Sequence, residues 1–82
     1  MIKKYKKLPV VIEAVKWDGL NYAEIERFCL PRKAYIRSGE LLIETLEGDH
    51  QAKLWDMIIK GVVGECYPCD RKVFEATYEE VK

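Results

Sequence analysis

The amino-acid sequence predicts a small α+β domain. The expected architecture is an antiparallel, strongly curved sheet or partial barrel of five or six short strands. One helix over about residues 21–30 packs across it, and a short helical turn lies near 70–76. Three observations carry this. β-branched and apolar residues recur in runs of four to eight, Gly-containing turns separate those runs, and only the stretch after Asn21 has helical periodicity.

The first run, Val10 to Trp17, opens β-branched and then alternates. Val11, Glu13, Val15 and Trp17 share one face, and Val10, Ile12, Ala14 and Lys16 the other, which predicts a buried opening strand. Asp18-Gly19 breaks it. Asn21 stands three residues before Glu24, the spacing of a capping box, and Ile25, Phe28 and Cys29 form an apolar stripe at helical period. Pro31 ends that helix. Ala34 to Arg37, Ser38-Gly39 and Glu40 to Leu46 read as a hairpin, and Glu47-Gly48-Asp49 as a second turn. His50 to Leu54, Met57 to Val62 and Glu65 to Tyr67 follow as strands, with Val63-Gly64 as the turn between the last two. Asp70 suits the cap of a helical turn through Val73 and Phe74, and Thr77 to Val81 has the pattern of a closing strand.

Eighty-two residues make one domain, residues 1–82, with one modest core. The net charge of zero argues against dedicated nucleic-acid or membrane-surface binding, since both need a cationic field. That zero conceals an asymmetry. Residues 1–41 hold nine Lys or Arg against five acids, and residues 42–82 hold five against nine, so the halves carry +4 and −4. Complementary halves of this kind pair either within one fold or between copies in an oligomer. No run approaches the length of a membrane span, and no signal-peptide pattern follows the lysines of Met1 to Lys7. An odd count of three cysteines does not make a disulfide scaffold, and a cytoplasmic location is expected.

Few residues invite catalytic chemistry. Cys66-Tyr67-Pro68-Cys69 is a C-x-x-C, but it comes late in a chain too short for a thioredoxin-like fold, so structural thiols are the simpler reading. Zinc would draw on Cys29, His50, Cys66 and Cys69, whose spacings fit no zinc ribbon or finger. One histidine and one turn serine offer no nucleophile with its base, and Gly61-Val62-Val63-Gly64 lacks the Lys-Ser/Thr of a phosphate loop. The expectation is a non-enzymatic binding protein without a cofactor. Trp17, in phase with Val15, is expected in the core. Trp55, beside Asp56 in a strand connection, is a candidate for stacking on a ligand. Arg37, Lys60, Glu65 and Tyr67 complete a candidate ligand-binding set chosen by residue type.

The stretches Lys-x-Pro-Val-Val-Ile-Glu-Ala-Val-x-Trp at 7–17, Leu-Ile-Glu-Thr-Leu-Glu-Gly at 42–48, Ile-Ile-Lys-Gly-Val-x-Gly-Glu-x-Tyr-Pro-Cys at 58–69 and Phe-Glu-Ala-Thr-Tyr-Glu at 74–79 closely resemble a widespread family of small bacteriophage and prophage proteins. Two departures stand out: Trp55-Asp56 replaces a usual Gly-Asp, and Cys66 a usual aromatic. With only Cys69 in that pattern, the C-x-x-C is incidental. The resemblance implies an accessory protein of a phage in its host's cytoplasm, and with it an anti-defence sponge: a homo-oligomer sequestering a nucleotide-derived second messenger of the cyclic ADP-ribose or cyclic dinucleotide type. The alternatives are a protein-binding module acting on a host protein or serving in replication or the virion, and a small thiol-redox or nucleotide-hydrolysing enzyme.

Overall fold

A computed structural model describes residues 1–82. Six strands and two helices follow in the order β1 (Glu13–Lys16), α1 (Tyr22–Cys29), β2 (Ala34–Arg37), β3 (Glu40–Thr45), β4 (Gly48–Ala52), β5 (Met57–Lys60), β6 (Cys66–Cys69) and α2 (Arg71–Thr77). The strands form two antiparallel three-stranded sheets, ordered β1-β5-β6 and β2-β3-β4. The expected single curved sheet or partial barrel is thereby corrected to two open sheets. Two short turns account for the second sheet. Ser38 (φ 53°) and Gly39 (φ 78°) both adopt positive φ between β2 and β3, the geometry a two-residue hairpin needs to match strand twist. Gly48 (φ 109°) closes the turn after β3. With both connections so short, β3 pairs antiparallel with β2 on one side and β4 on the other.

In the first sheet, Val15 faces Ile58, Ala14 faces Ile59, Ile58 faces Pro68 and Ile59 faces Tyr67. Residues opposite each other share a face, and faces alternate along a strand. Val15, Ile58, Lys60 and Cys66 therefore look one way, and Ala14, Met57, Ile59 and Tyr67 the other. The first face meets α1 and the second sheet. There Trp17, Ile25, Cys29, Ala34, Leu41, Ile43, Ala52, Ile58 and Cys66 form one buried cluster, with Val15, Tyr22 and Phe28 packed on its edge. Each fully buried Ile or Leu side chain contributes about 1.5–3 kcal/mol by leaving water.

The helix α1 buries Ile25 and Cys29, four residues apart and so one above the other, and exposes Glu24 and Arg27. Asn21 does not cap it with its side chain, as the capping-box spacing predicted. Its Nδ2 instead donates to the Lys16 carbonyl (2.8 Å) and to Glu24 Oε1 (2.9 Å), while its Oδ1 accepts from the Asp18 amide (3.0 Å). Asn21 thus braces the turn that leaves β1. Asp70 does cap α2, its Oδ1 accepting from the amides of Lys72 (2.9 Å) and Val73 (3.2 Å).

The opening strand is shorter than predicted. Val10 and Val11 are exposed, because β5 ends at Lys60 opposite Glu13 and the chain then turns, leaving residues 10–12 with no ladder partner. For the same reason Val62 lies in the turn rather than in β5. The strand placed at His50 to Leu54 runs from Gly48 to Ala52, with Leu54 in the following turn. Thr77 to Val81 is not a closing strand. The Asp70 cap carries α2 through Thr77, and residues 78–82 continue without regular structure. Pro68 lies within β6, where an edge position spares it a ladder bond.

Candidate functional site

A concavity of about 810 Å³ lies on the second face of the first sheet, between the extended segment before β1 and the end of the chain. Val10, Val11 and Ile12 form one wall, Phe74, Tyr78 and Val81 the other, and Ala14 and Met57 belong to the sheet between them. The only charged residues lining it are Glu79 and Glu80. Phe74 and Tyr78 present adjacent rings because they are one helical turn apart, with centroids separated by 5.0 Å.

At the mouth of this groove the Lys7 ammonium donates to the Tyr78 hydroxyl (3.1 Å) and stands 4.5 Å from the centre of the same ring. The groove wall thus already holds one lysine by a hydrogen bond and a cation–π contact. Tyr67 shares this face of the sheet. Burial, reinforced by the neighbouring Tyr78 hydroxyl, pushes its phenol up to about 12, so it is neutral at physiological pH.

The six residues chosen from sequence do not converge. Arg37 is exposed at the end of β2, in the other sheet, with its guanidinium 5.8 Å from the Tyr35 ring centre. Lys60 points to the first face, with its ammonium 5.0 Å from the Phe28 ring, whereas Tyr67 points to the second. Glu65 folds its carboxylate over Gly61, into the space a Cβ there would take, and the Gly61 amide donates to the Glu65 carbonyl (2.8 Å). Strand parity separates Lys60 from Tyr67, and sheet membership separates Arg37 from both.

Trp55 and Asp56 do stay together. They share a notch of about 230 Å³ with Leu54, Asp70, Arg71 and Lys72. The Trp55 indole is 46% exposed, and its backbone is held at φ 74°, a region that bulky residues rarely adopt. Hydrogen bonds fix that turn: the Trp55 amide donates to the Trp17 carbonyl (2.8 Å), the Asp56 amide to the Lys53 carbonyl (3.0 Å), and the Lys53 amide to Asp56 Oδ2 (2.9 Å). Asp56 therefore shapes the turn that displays the indole. Trp17, by contrast, is buried in the core cluster as its phase predicted.

Cys66 and Cys69 are three residues apart in one strand and so face opposite ways. The Cys69 thiol donates to the Asp70 carbonyl (3.6 Å), and burial raises its pKa, with Asp56 and Asp70 adding to the effect. Cys66 instead meets Cys29 in the core. Interaction between the two thiols raises the Cys29 pKa, with burial adding to it, and lowers that of Cys66 against the opposing effect of burial. The sequence motif thus names the wrong pair. Two fully buried thiols at the junction of α1 and β6 behave as small apolar side chains.

The groove was absent from the residue-type selection. Its signal was nevertheless available, in apolar residues at 10–12 that outrun the strand partner, and in Phe74 and Tyr78 at helical spacing just before Glu79-Glu80. Comparison with family models, curated proteins and solved structures found no match to this chain.

Proposed function

We propose that this chain is a non-enzymatic binding protein whose groove holds an extended polypeptide segment, apolar in its contacts and flanked by lysines or arginines. The observation that supports this is the lining itself: two aromatic and aliphatic walls, two glutamates and no cation. Phosphates would meet the two carboxylates of the lining, with Lys7 at the mouth already engaged on Tyr78, whereas a basic segment meets complementary charge. The polar groups suit binding rather than turnover. The Thr77 hydroxyl is committed to the Val73 carbonyl (2.7 Å), and the Tyr78 hydroxyl already accepts a lysine.

The test is a titration of the labelled full chain with a short apolar peptide flanked by lysines, followed by two-dimensional amide NMR. Shifts concentrated at Val10, Val11, Phe74 and Tyr78 are expected. Their absence at millimolar peptide overturns the reading.

One observation favours nucleotide sequestration as a second reading: the exposed Trp55 indole stands beside Arg71 and Lys72, a stacking plane next to two cations. Purified protein incubated with ADP-ribose or a cyclic dinucleotide, filtered and then heated, should release intact nucleotide on this reading and none on the first.

A further inference from the structure

We propose that the segment held in this groove is residues 1–8 of a second copy of the chain, exchanged reciprocally in a two-fold dimer. The proposal rests on the groove reading above and names its occupant. The first eight residues carry no regular structure, and their apolar members are left in solvent: Ile2 is 100% exposed, Tyr5 89% and Leu8 78%. These three recur every third residue, with Lys3, Lys4, Lys6 and Lys7 between them. Such a segment has the composition that the groove lacks.

Its conformation is also set. Pro9 disfavours helix at Leu8, and closely spaced lysines repel one another, so the arm stays extended. Eight extended residues reach about 26 Å, which exceeds the shortest dimension of the molecule, 22 Å. Within its own molecule the arm passes the groove at Lys7, which bonds Tyr78, and then leaves it. That contact shows how a lysine from this very segment is received at the groove wall.

The backbone provides a second element. Residues 1–12 make no backbone–backbone hydrogen bond, and β1 is an edge strand. Two arms crossing antiparallel about a two-fold axis can therefore pair along this free edge while their side chains enter the partner's groove. The opposed charges of the two halves of the sequence, +4 and −4, then meet between copies, with the arm lysines against Glu79 and Glu80.

Sedimentation velocity of the full chain over a concentration series tests this, with charge reversal at each end of the contact. The intact chain should sediment as a dimer that weakens with salt. Reversing the arm (Lys3→Glu, Lys4→Glu) or the groove rim (Glu79→Lys, Glu80→Lys) should each raise the dimer Kd about tenfold or more. An equal mixture of the two variants should regain dimers, because both exchanged contacts are then attractive again. Tyr5→Ser with Leu8→Ser should give monomer at unchanged far-ultraviolet circular dichroism, since neither residue is buried in one copy. A dimer indifferent to all these changes, or reversed chains that stay monomeric when mixed, overturns the exchange. A chain that is monomeric throughout, yet binds the lysine-flanked peptide in its groove, overturns the exchange alone. A monomer that binds no such peptide overturns the groove reading with it.

Discussion

All ten buried residues lie between Trp17 and Cys66, whereas the two walls of the groove come from residues 10–12 and 74–81, among which none is buried. Both regions are rich in apolar side chains, so hydrophobicity alone does not distinguish them. What differs is pairing. In the central region the core-facing side of each element has an opposing one, because the short turns fold β2, β3 and β4 together and α1 closes over them. In the terminal region Val10, Val11 and Val81 have walls but no lid. The first region uses its apolar surface to hold the fold, and the second keeps it available for association.

The two regions should respond differently to truncation. Trp17→Ala removes a side chain that is 8% exposed in the nine-residue cluster, and should cost about 3–5 kcal/mol in urea or thermal unfolding. Val11→Ala, at 75% exposure, should stay within about 0.5 kcal/mol of the parent while weakening groove binding. Comparable stability losses at both positions would erase the distinction between core and groove.

The same distinction explains what the sequence did and did not disclose. Where short turns fix the partner, as at Ser38-Gly39, local signals were enough to predict β2 and β3 closely. Where the partner is distant, they failed: nothing near Val10 says that β5 will end at Lys60. The α+β class was legible for the first reason, and Trp17 from its phase with Val15. The groove was legible only wall by wall: each wall carries its own apolar signal, but the two lie far apart in sequence and nothing local says that they meet. The candidate set is dispersed for a different reason. Lys60 and Tyr67 look adjacent once the hairpin is drawn, yet alternation sends them to opposite faces.

Tyr67 gives the next largest effect and reports on the groove side of the first sheet. Its folded-state pKa of about 12 exceeds the ordinary 10.0, through burial first and Tyr78 second, so the native state favours the neutral phenol. Between pH 10 and 12 the unfolded chain loses a proton that the folded chain keeps. The contribution is therefore fully present below pH 10 and is lost as pH rises through 12. Tyr67→Phe should flatten the fall of stability across that window relative to the parent, measured as urea midpoints at stepped pH. Parallel slopes would mean that the phenol is free in water.

The Asp70 cap should matter less to the fold and more to the groove. Two amides rely on Asp70 Oδ1, and α2 has no buried residue to hold it otherwise. Asp70→Ala should cost about 1 kcal/mol while weakening groove binding disproportionately, because α2 carries Phe74 and leads directly into Tyr78. The comparison requires both measurements on one variant. A change in stability with peptide affinity untouched would show that the groove wall does not depend on the helix.

The smallest effect concerns Trp55, whose indole is exposed but whose backbone is held at φ 74° by its bond to the Trp17 carbonyl. In regular structure Ala is more stable than Gly by about 0.5–1 kcal/mol, because Gly loses more freedom on folding. At positive φ the order reverses, since a Cβ meets the following carbonyl at a cost of about 1–2 kcal/mol that Gly avoids. Trp55→Gly should therefore be more stable than Trp55→Ala by up to about 1 kcal/mol, or several degrees in Tm for a chain of this length. Both variants lose the stacking plane, so nucleotide retained through the notch would fall equally in the two. An Ala variant as stable as the Gly variant would mean that the turn relaxes in solution, and with it the presentation of the indole that distinguishes Trp55 from Trp17.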